Sequence, residues 1–148
     1  CTPVRDDVPI VVYANHPSWW DPILAVLLHE FHFTKRSFYA PIDADALKKY
    51  EVLRKLGFYP TQMNNHRGAA NFLRTSKAIL ESKNAVIWLT PEGHFSDPRD
   101  RGKPLMPGLA HIASNSKEIA LISLAIEYPL LNERKPYMLM RLSKPILA

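Results

Sequence analysis

Two polar stretches hold the side-chain types that acid–base chemistry requires. In Asn15-His16-Pro17-Ser18-Trp19-Trp20-Asp21, a histidine stands five residues before an aspartate. Pro17 presses His16 into an extended backbone, so the position of the imidazole is set rather than loose. Asp21 precedes Pro22, the pattern of an aspartate cap with proline at the first helical position. From there one carboxylate oxygen can cap a helix while the other accepts a hydrogen bond from a His16 ring nitrogen. That contact would fix one tautomer and leave the second nitrogen as a general base. It is the base and orienter of a triad without a protein nucleophile. The same spacing also describes a capping aspartate beside a surface histidine. The second stretch is Thr90-Pro91-Glu92-Gly93-His94-Phe95-Ser96. There Gly93 lets the backbone approach a ligand, and Glu92 can bond a hydroxyl or brace the loop. Taken alone it is a turn with a glycine.

Both stretches need a scaffold, and the apolar pattern supplies one. Ile10–Ala14 reads as a buried strand, residues 21–31 as a helix apolar on nearly every face, and residues 37–42 as a second strand. Residues 43–56 read as one amphipathic helix with Leu47, Tyr50, Leu53 and Leu56 on a stripe. A short strand at 57–61, a polar turn at 62–67 and a helix at 68–82 follow. Ala85–Leu89 is a continuous apolar strand, leading into a loop over 90–107 rich in proline, glycine and charge. A helix at 108–116, a strand at 119–128 and a last strand at 137–142 complete the pattern. Strands alternating with helices predict an α/β fold, a mixed and mostly parallel sheet flanked by helices. No repeat or linker interrupts the chain, so residues 1–148 are expected to form one domain. Ligands in such folds gather where strands end and helices begin, which is where both polar stretches fall.

Composition narrows the function classes. With 47% hydrophobic and 22% charged residues, the 148-residue chain is globular and not disordered. Its single cysteine, Cys1, excludes an internal disulfide framework and fits a reducing compartment. No apolar run approaches the ~18–20 residues of a membrane span. The abrupt start at Cys1 reads as a trimmed catalytic core. Lys and Arg number 19 against 14 Asp and Glu, a net charge of +5 that favours an anionic partner. The basic residues are scattered and show no nucleic-acid-binding pattern, so no nucleic acid is expected. His29 and His32 lie three apart on a helix but lack an acidic third ligand, so no metal is expected. Trp19 and Trp20 suit either core packing or a membrane interface. Lys48, Lys49, Arg54 and Lys55 suit a solvated helix face or, alternatively, contact with anionic lipid or the phosphates of coenzyme A.

The first stretch, His16 and Asp21 in an N-H-x-S-x-x-D pattern, followed some 70 residues later by Pro91-Glu92-Gly93, resembles the glycerolipid acyltransferase family of H-x4-D type. The family's third block, usually F-P-E-G-T-R-S, stands here as residues 90–96. Weaker counterparts of its second and fourth blocks are Gly57-Phe58-Tyr59-Pro60 and the apolar segment 121–129. The resemblance implies a glycerol-3-phosphate acyltransferase-like fold. It also implies transfer of an acyl group from acyl-CoA or acyl carrier protein, a co-substrate rather than a bound cofactor, to a lipid hydroxyl. It casts His16 as the base and Asp21 as its orienter, with no acyl-enzyme. Ser18, Glu92, Gly93 and His94 fall among the substrate contacts, and the setting is cytoplasmic, peripheral on a membrane face.

Two departures bear on the acceptor. The family's third-block arginine is Phe95 here, and the arginine expected to close the second block falls on Met63. Neither can grip a phosphate. Arg67 and Arg99, with Arg101 and Lys103, are nearby in sequence as substitutes or as solvated loop charges. The rivals to a transferase are a hydrolase in which His16 activates water and an inactive acyl-lipid-binding module. The absence of a G-x-S-x-G elbow counts against a serine hydrolase.

Overall fold

The computed structural model describes residues 4–62, 65–100, 102, 104–132 and 134–148. Cys1, Met63, Arg101 and Lys103 therefore lie outside the described residues. In chain order the elements are β1 (Ile10–Ala14), α1 (Asp21–His32), β2 (Ser37–Asp43), α2 (Ala44–Lys49), α3 (Val52–Lys55) and β3 (Phe58–Thr61). They continue with α4 (His66–Leu80), β4 (Ala85–Leu89), α5 (Gly108–Asn115), β5 (Ala120–Glu127), β6 (Leu139–Leu142) and β7 (Ile146–Leu147).

The seven strands form one sheet in the order β3-β2-β4-β1-β5-β6, with β7 also against β5. The first five run parallel, and β6 and β7 pair with β5 antiparallel. The expected mixed, mostly parallel α/β architecture is therefore present. Strands buried on both faces carry no polar alternation, which is why β1 and β4 read as continuous apolar runs. Their side chains divide between two cores. Val12, Val86, Trp88 and Ile122 face α1, α2 and α3 through Leu24, Leu28, Leu47 and Leu53. Val11, Ile87 and Leu89 face α4 and α5 through Phe72, Leu80 and Ile112.

That division matters for the site. The chain leaves β1 for a helix on one face and leaves β4, its immediate neighbour, for a helix on the other. Two adjacent parallel strands whose connections part in this way open a crevice at their C-terminal ends.

Several local expectations are corrected. The single helix over 43–56 is two short helices broken at Tyr50, because residues three apart drift by about 60° per step around a helix. Leu47 and Leu53 cannot share one face of a straight helix, and the break lets both reach the core while Tyr50 and Leu56 stay exposed. Asp43 caps the first of them, accepting from the Asp45 and Ala46 backbone N–H groups. The turn over 62–67 ends sooner than expected. Asn65 accepts from Gly68 N–H and starts α4 at His66, placing Arg67 in its first turn. The outer face of α1 (Ile23, Leu27 and Phe31), which the sequence allowed to be either buried in protein or in contact with lipid, is exposed.

His29 and Ser76 are buried polar groups with partners. The His29 Nε2–H donates to the Arg36 carbonyl at 2.8 Å, and its Nδ1 accepts from the Trp88 indole N–H. Both ring nitrogens are thus used inside the core. Burial pulls the His29 imidazole below its ordinary pKa of 6.5, opposed in part by the Arg36 carbonyl. Ser76 meets the Tyr59 hydroxyl at 3.1 Å, and burial pushes that phenol up to about 12.

Candidate active site

The segments following β4, β1 and β5, three neighbouring parallel strands, emerge at the same edge of the sheet. They bring together side chains from distant parts of the chain. Asn15 extends the pairing of β1 with β5 beyond the strand. Its amide donates to the Ile126 carbonyl and accepts from the Ile126 N–H, each at 2.8 Å. This clamp holds the start of the 15–20 loop against the end of β5.

His16 Nδ1 lies 2.7 Å from Asp21 Oδ2. A carboxylate only accepts, so the proton between them sits on Nδ1 and the His16 Nε2 lone pair is left available. Among the described residues no hydrogen-bond partner reaches that nitrogen, and the His16 side chain remains 19% exposed. Asp21 is 4% exposed and fully engaged. Its Oδ2 also accepts from the Ser18 backbone N–H at 3.1 Å, and its Oδ1 accepts from the Tyr128 hydroxyl at 2.8 Å. Burial, followed by the Asp21 carboxylate, drives the Tyr128 phenol well above its ordinary range.

Asp21 does not cap α1 with its side chain. It is the first helical residue, and Trp20 before it makes no side-chain capping bond. Both oxygens are diverted to His16, Ser18 and Tyr128, so of the two expected contacts the helix cap is absent and the hydrogen bond with His16 is present.

The 90–107 segment secures His16 from the other side. Glu92 Oε2 accepts the His16 backbone N–H at 3.0 Å and also a hydrogen bond from the Ser96 hydroxyl. The Ser96 N–H donates to the His16 carbonyl at 3.0 Å. Both backbone groups of His16 are therefore held by residues some 80 positions away. The geometry places Glu92 as a brace of the loop, one of the two roles that its sequence context allowed. Gly93 adopts φ +71°, and a Cβ there would meet the Met106 sulfur. Only glycine accepts that backbone without strain.

Phe95 stacks on the imidazole, ring centroids 4.4 Å apart and tilted by 42°. Ser18 works within the loop, its hydroxyl accepting from the Trp20 N–H and its carbonyl from Asp21. His94 and Arg67 are exposed. Arg99 is also exposed and is paired through two nitrogens with the Asp97 carboxylate, so it does not point freely into the crevice.

Residues 2–127 match the family model described as Acyltransferase. The chain belongs to the acyltransferase family. A search among curated proteins matched none. In this acyltransferase the first and third motif stretches, separate in sequence, are tied into one unit by the bonds between His16, Glu92 and Ser96.

Two residues of this edge escaped the sequence reading. Tyr128 reaches Asp21 across 107 positions. No local spacing marks such a contact; the available signal was a polar aromatic ring ending an apolar strand just before Pro129. Arg141 on β6 lines an open cleft of about 690 Å³ beside the crevice, together with Tyr13, Ala125 and Leu139. Asn15 and Glu92 border the same cleft, so it adjoins His16.

Proposed function

We propose that this acyltransferase moves a fatty acyl group from acyl-CoA or acyl carrier protein to the hydroxyl of a lipid acceptor, with His16 as general base. The observation that carries the reading is the His16 imidazole, locked through Nδ1 on a buried carboxylate while Nε2 stays open at the crevice. Nε2 takes the acceptor's hydroxyl proton as its oxygen attacks the thioester carbonyl carbon. Asp21 stabilises the imidazolium that forms. The tetrahedral intermediate collapses with cleavage of the C–S bond, and the imidazolium returns the proton to the departing thiolate. The products are an ester and a free thiol, and His16 is regenerated.

The acceptor side favours a lipid alcohol with little or no phosphate recognition. Phe95 stands where the resemblance calls for an arginine, and its ring offers an apolar surface over the base. The neighbouring cleft is lined mostly by apolar side chains, among them Leu105, Leu139 and Met140. Its one lining cation among the described residues, Arg141, is offset there by Glu92 and Glu127, which suits an apolar body better than a dianion.

The reading also places the enzyme peripherally, on the cytoplasmic face of a membrane. Trp19 and Trp20 stack at 4.3 Å and are 63% and 53% exposed, which is no core packing. Ile23, Leu27 and Phe31 continue from Trp19 at four-residue spacing along the outer face of α1, with Phe31 82% exposed. Indoles and aliphatic side chains on one face suit the headgroup boundary. Among the described residues no helix is long and apolar enough to cross a membrane.

Competition between glycerol 3-phosphate, a lysophospholipid and an unphosphorylated lipid alcohol, read by mass spectrometry of the products, tests the acceptor. The unphosphorylated alcohol and the lysophospholipid should both outcompete glycerol 3-phosphate. Preferential use of glycerol 3-phosphate would overturn that part. Thiol release at the same rate with and without any acceptor would identify a hydrolase.

A further inference from the structure

We propose that Tyr128 is a positioning residue for the acyl-transfer step, fixing the Asp21 carboxylate so that His16 keeps its Nδ1–H tautomer. The inference rests on the reading of His16 as the base. Asp21 Oδ2 already receives the imidazole N–H and the Ser18 N–H. Its Oδ1 lies in a nearly solvent-free place, and the Tyr128 hydroxyl is the donor that satisfies it. With donors on both oxygens, the plane of the carboxylate is set and cannot swing away from the imidazole. One oxygen held alone would leave rotation about the side chain free.

The hydroxyl is itself held by the sheet. Tyr128 directly follows β5, whose Ile126 is clamped on both sides by Asn15 at the end of β1. Just beyond, the Pro129 carbonyl accepts from the Tyr137 N–H at 2.9 Å, closing the root of the connection to β6. The phenol therefore links the end of β5 to the first residue of α1, while Asn15 links β5 to β1. Together they define the distance between His16 and its orienter.

Removing the hydroxyl should leave Oδ1 without its donor and free the Asp21 carboxylate to turn away from the imidazole.

Tyr128→Phe deletes one oxygen and keeps the ring. The variant should lower kcat roughly tenfold, the scale of losing one hydrogen bond to a charged group, and leave KM for both substrates unchanged. Nitrogen-15 spectra of the imidazoles, with His16 assigned by His16→Gln, should show a smaller share of the Nδ1–H tautomer than in the wild type. Unchanged kcat with unchanged His16 ring signals would overturn the proposal, as would a lower melting temperature with neither readout moved. His16→Ala measured in the same assay separates the two ideas. If that variant stays active, the base reading fails, and the tautomer populations still decide whether Tyr128 positions the pair. If it is inactive while Tyr128→Phe matches wild type in rate and spectra, only the role of Tyr128 falls.

Discussion

Around Asp21 every oxygen of the carboxylate is bonded inside the fold, whereas Arg67, His94 and Arg99, on the side expected to meet the acceptor, stand in solvent. The first region is assembled from four segments, contributed by β1, α1, the end of β5 and the loop after β4. The hydrogen bonds to the carboxylate run from 2.7 to 3.1 Å, and none depends on an exposed side chain holding its rotamer. The second region relies on long side chains at the surface. Arg99 is committed to Asp97, which that contact pulls below the usual carboxylate range. The contrast teaches where the chemistry is preorganised. The fold fixes the proposed base and its orienter before any ligand arrives, while Arg67, His94 and Arg99 have no comparable support.

The comparison is broken most severely by Asp21→Asn. The amide can turn its NH₂ toward His16 Nδ1, which would then have to accept, and the catalytic nitrogen would carry the proton. Turnover should fall by roughly 10²–10⁴, the usual worth of a positioned base. Because Asp21 does not cap α1, its helix should keep its circular-dichroism signal. Near-wild-type rates would reduce Asp21 to a structural carboxylate.

Phe95→Arg sharpens the other side of the contrast by restoring the residue type that the family pattern carries. The ratio of kcat/KM for glycerol 3-phosphate over an unphosphorylated alcohol should rise by about tenfold or more, as expected of one charge-assisted hydrogen bond. A ratio that does not move would mean that Phe95 is away from the acceptor. Arg67→Ala and Arg99→Ala should each change that ratio by less than about threefold, since exposed pairs contribute little. A collapse confined to phosphorylated acceptors would show that one of these arginines folds into the crevice after all.

Most of the frame was legible because burial on both faces leaves an unbroken apolar run, as in Ala85–Leu89 and Ile10–Ala14. The motif spacing likewise led to the His16–Asp21 contact. What was not legible depended on long-range geometry. The division of residues 43–56 into two helices follows from where Leu47 and Leu53 find the core, not from their stripe alone. The strand β7 pairs with β5 and is two residues long, too short for its apolar pair Ile146 and Leu147 to register as a strand pattern. Tyr128 became visible only once β5 lay beside β1. The loop contacts of Glu92 and Ser96 with His16 join residues about 80 positions apart and leave no trace in local sequence.

The smallest effect concerns stability in the core behind the site. His29 is held neutral by burial, so the unfolded chain binds its proton more readily than the folded one. Its contribution is complete above its ordinary value of 6.5 and is lost as pH falls below that value. Thermal melts near pH 7.5 and 5.5 should show a larger drop for the wild type than for His29→Gln. Equal drops would mean that His29 adds nothing to the pH dependence.

The most direct test of the account follows the products of His16→Ala and the wild type, supplied with labelled acyl-CoA and a lipid alcohol, by mass spectrometry. The wild type should form the acyl ester in amounts matching the thiol released. His16→Ala should keep its melting temperature and form ester roughly 10²–10⁴ times more slowly, the range expected for loss of a general base. Ester formation by a folded His16→Ala at more than a tenth of the wild-type rate would contradict the assignment of His16 as the base.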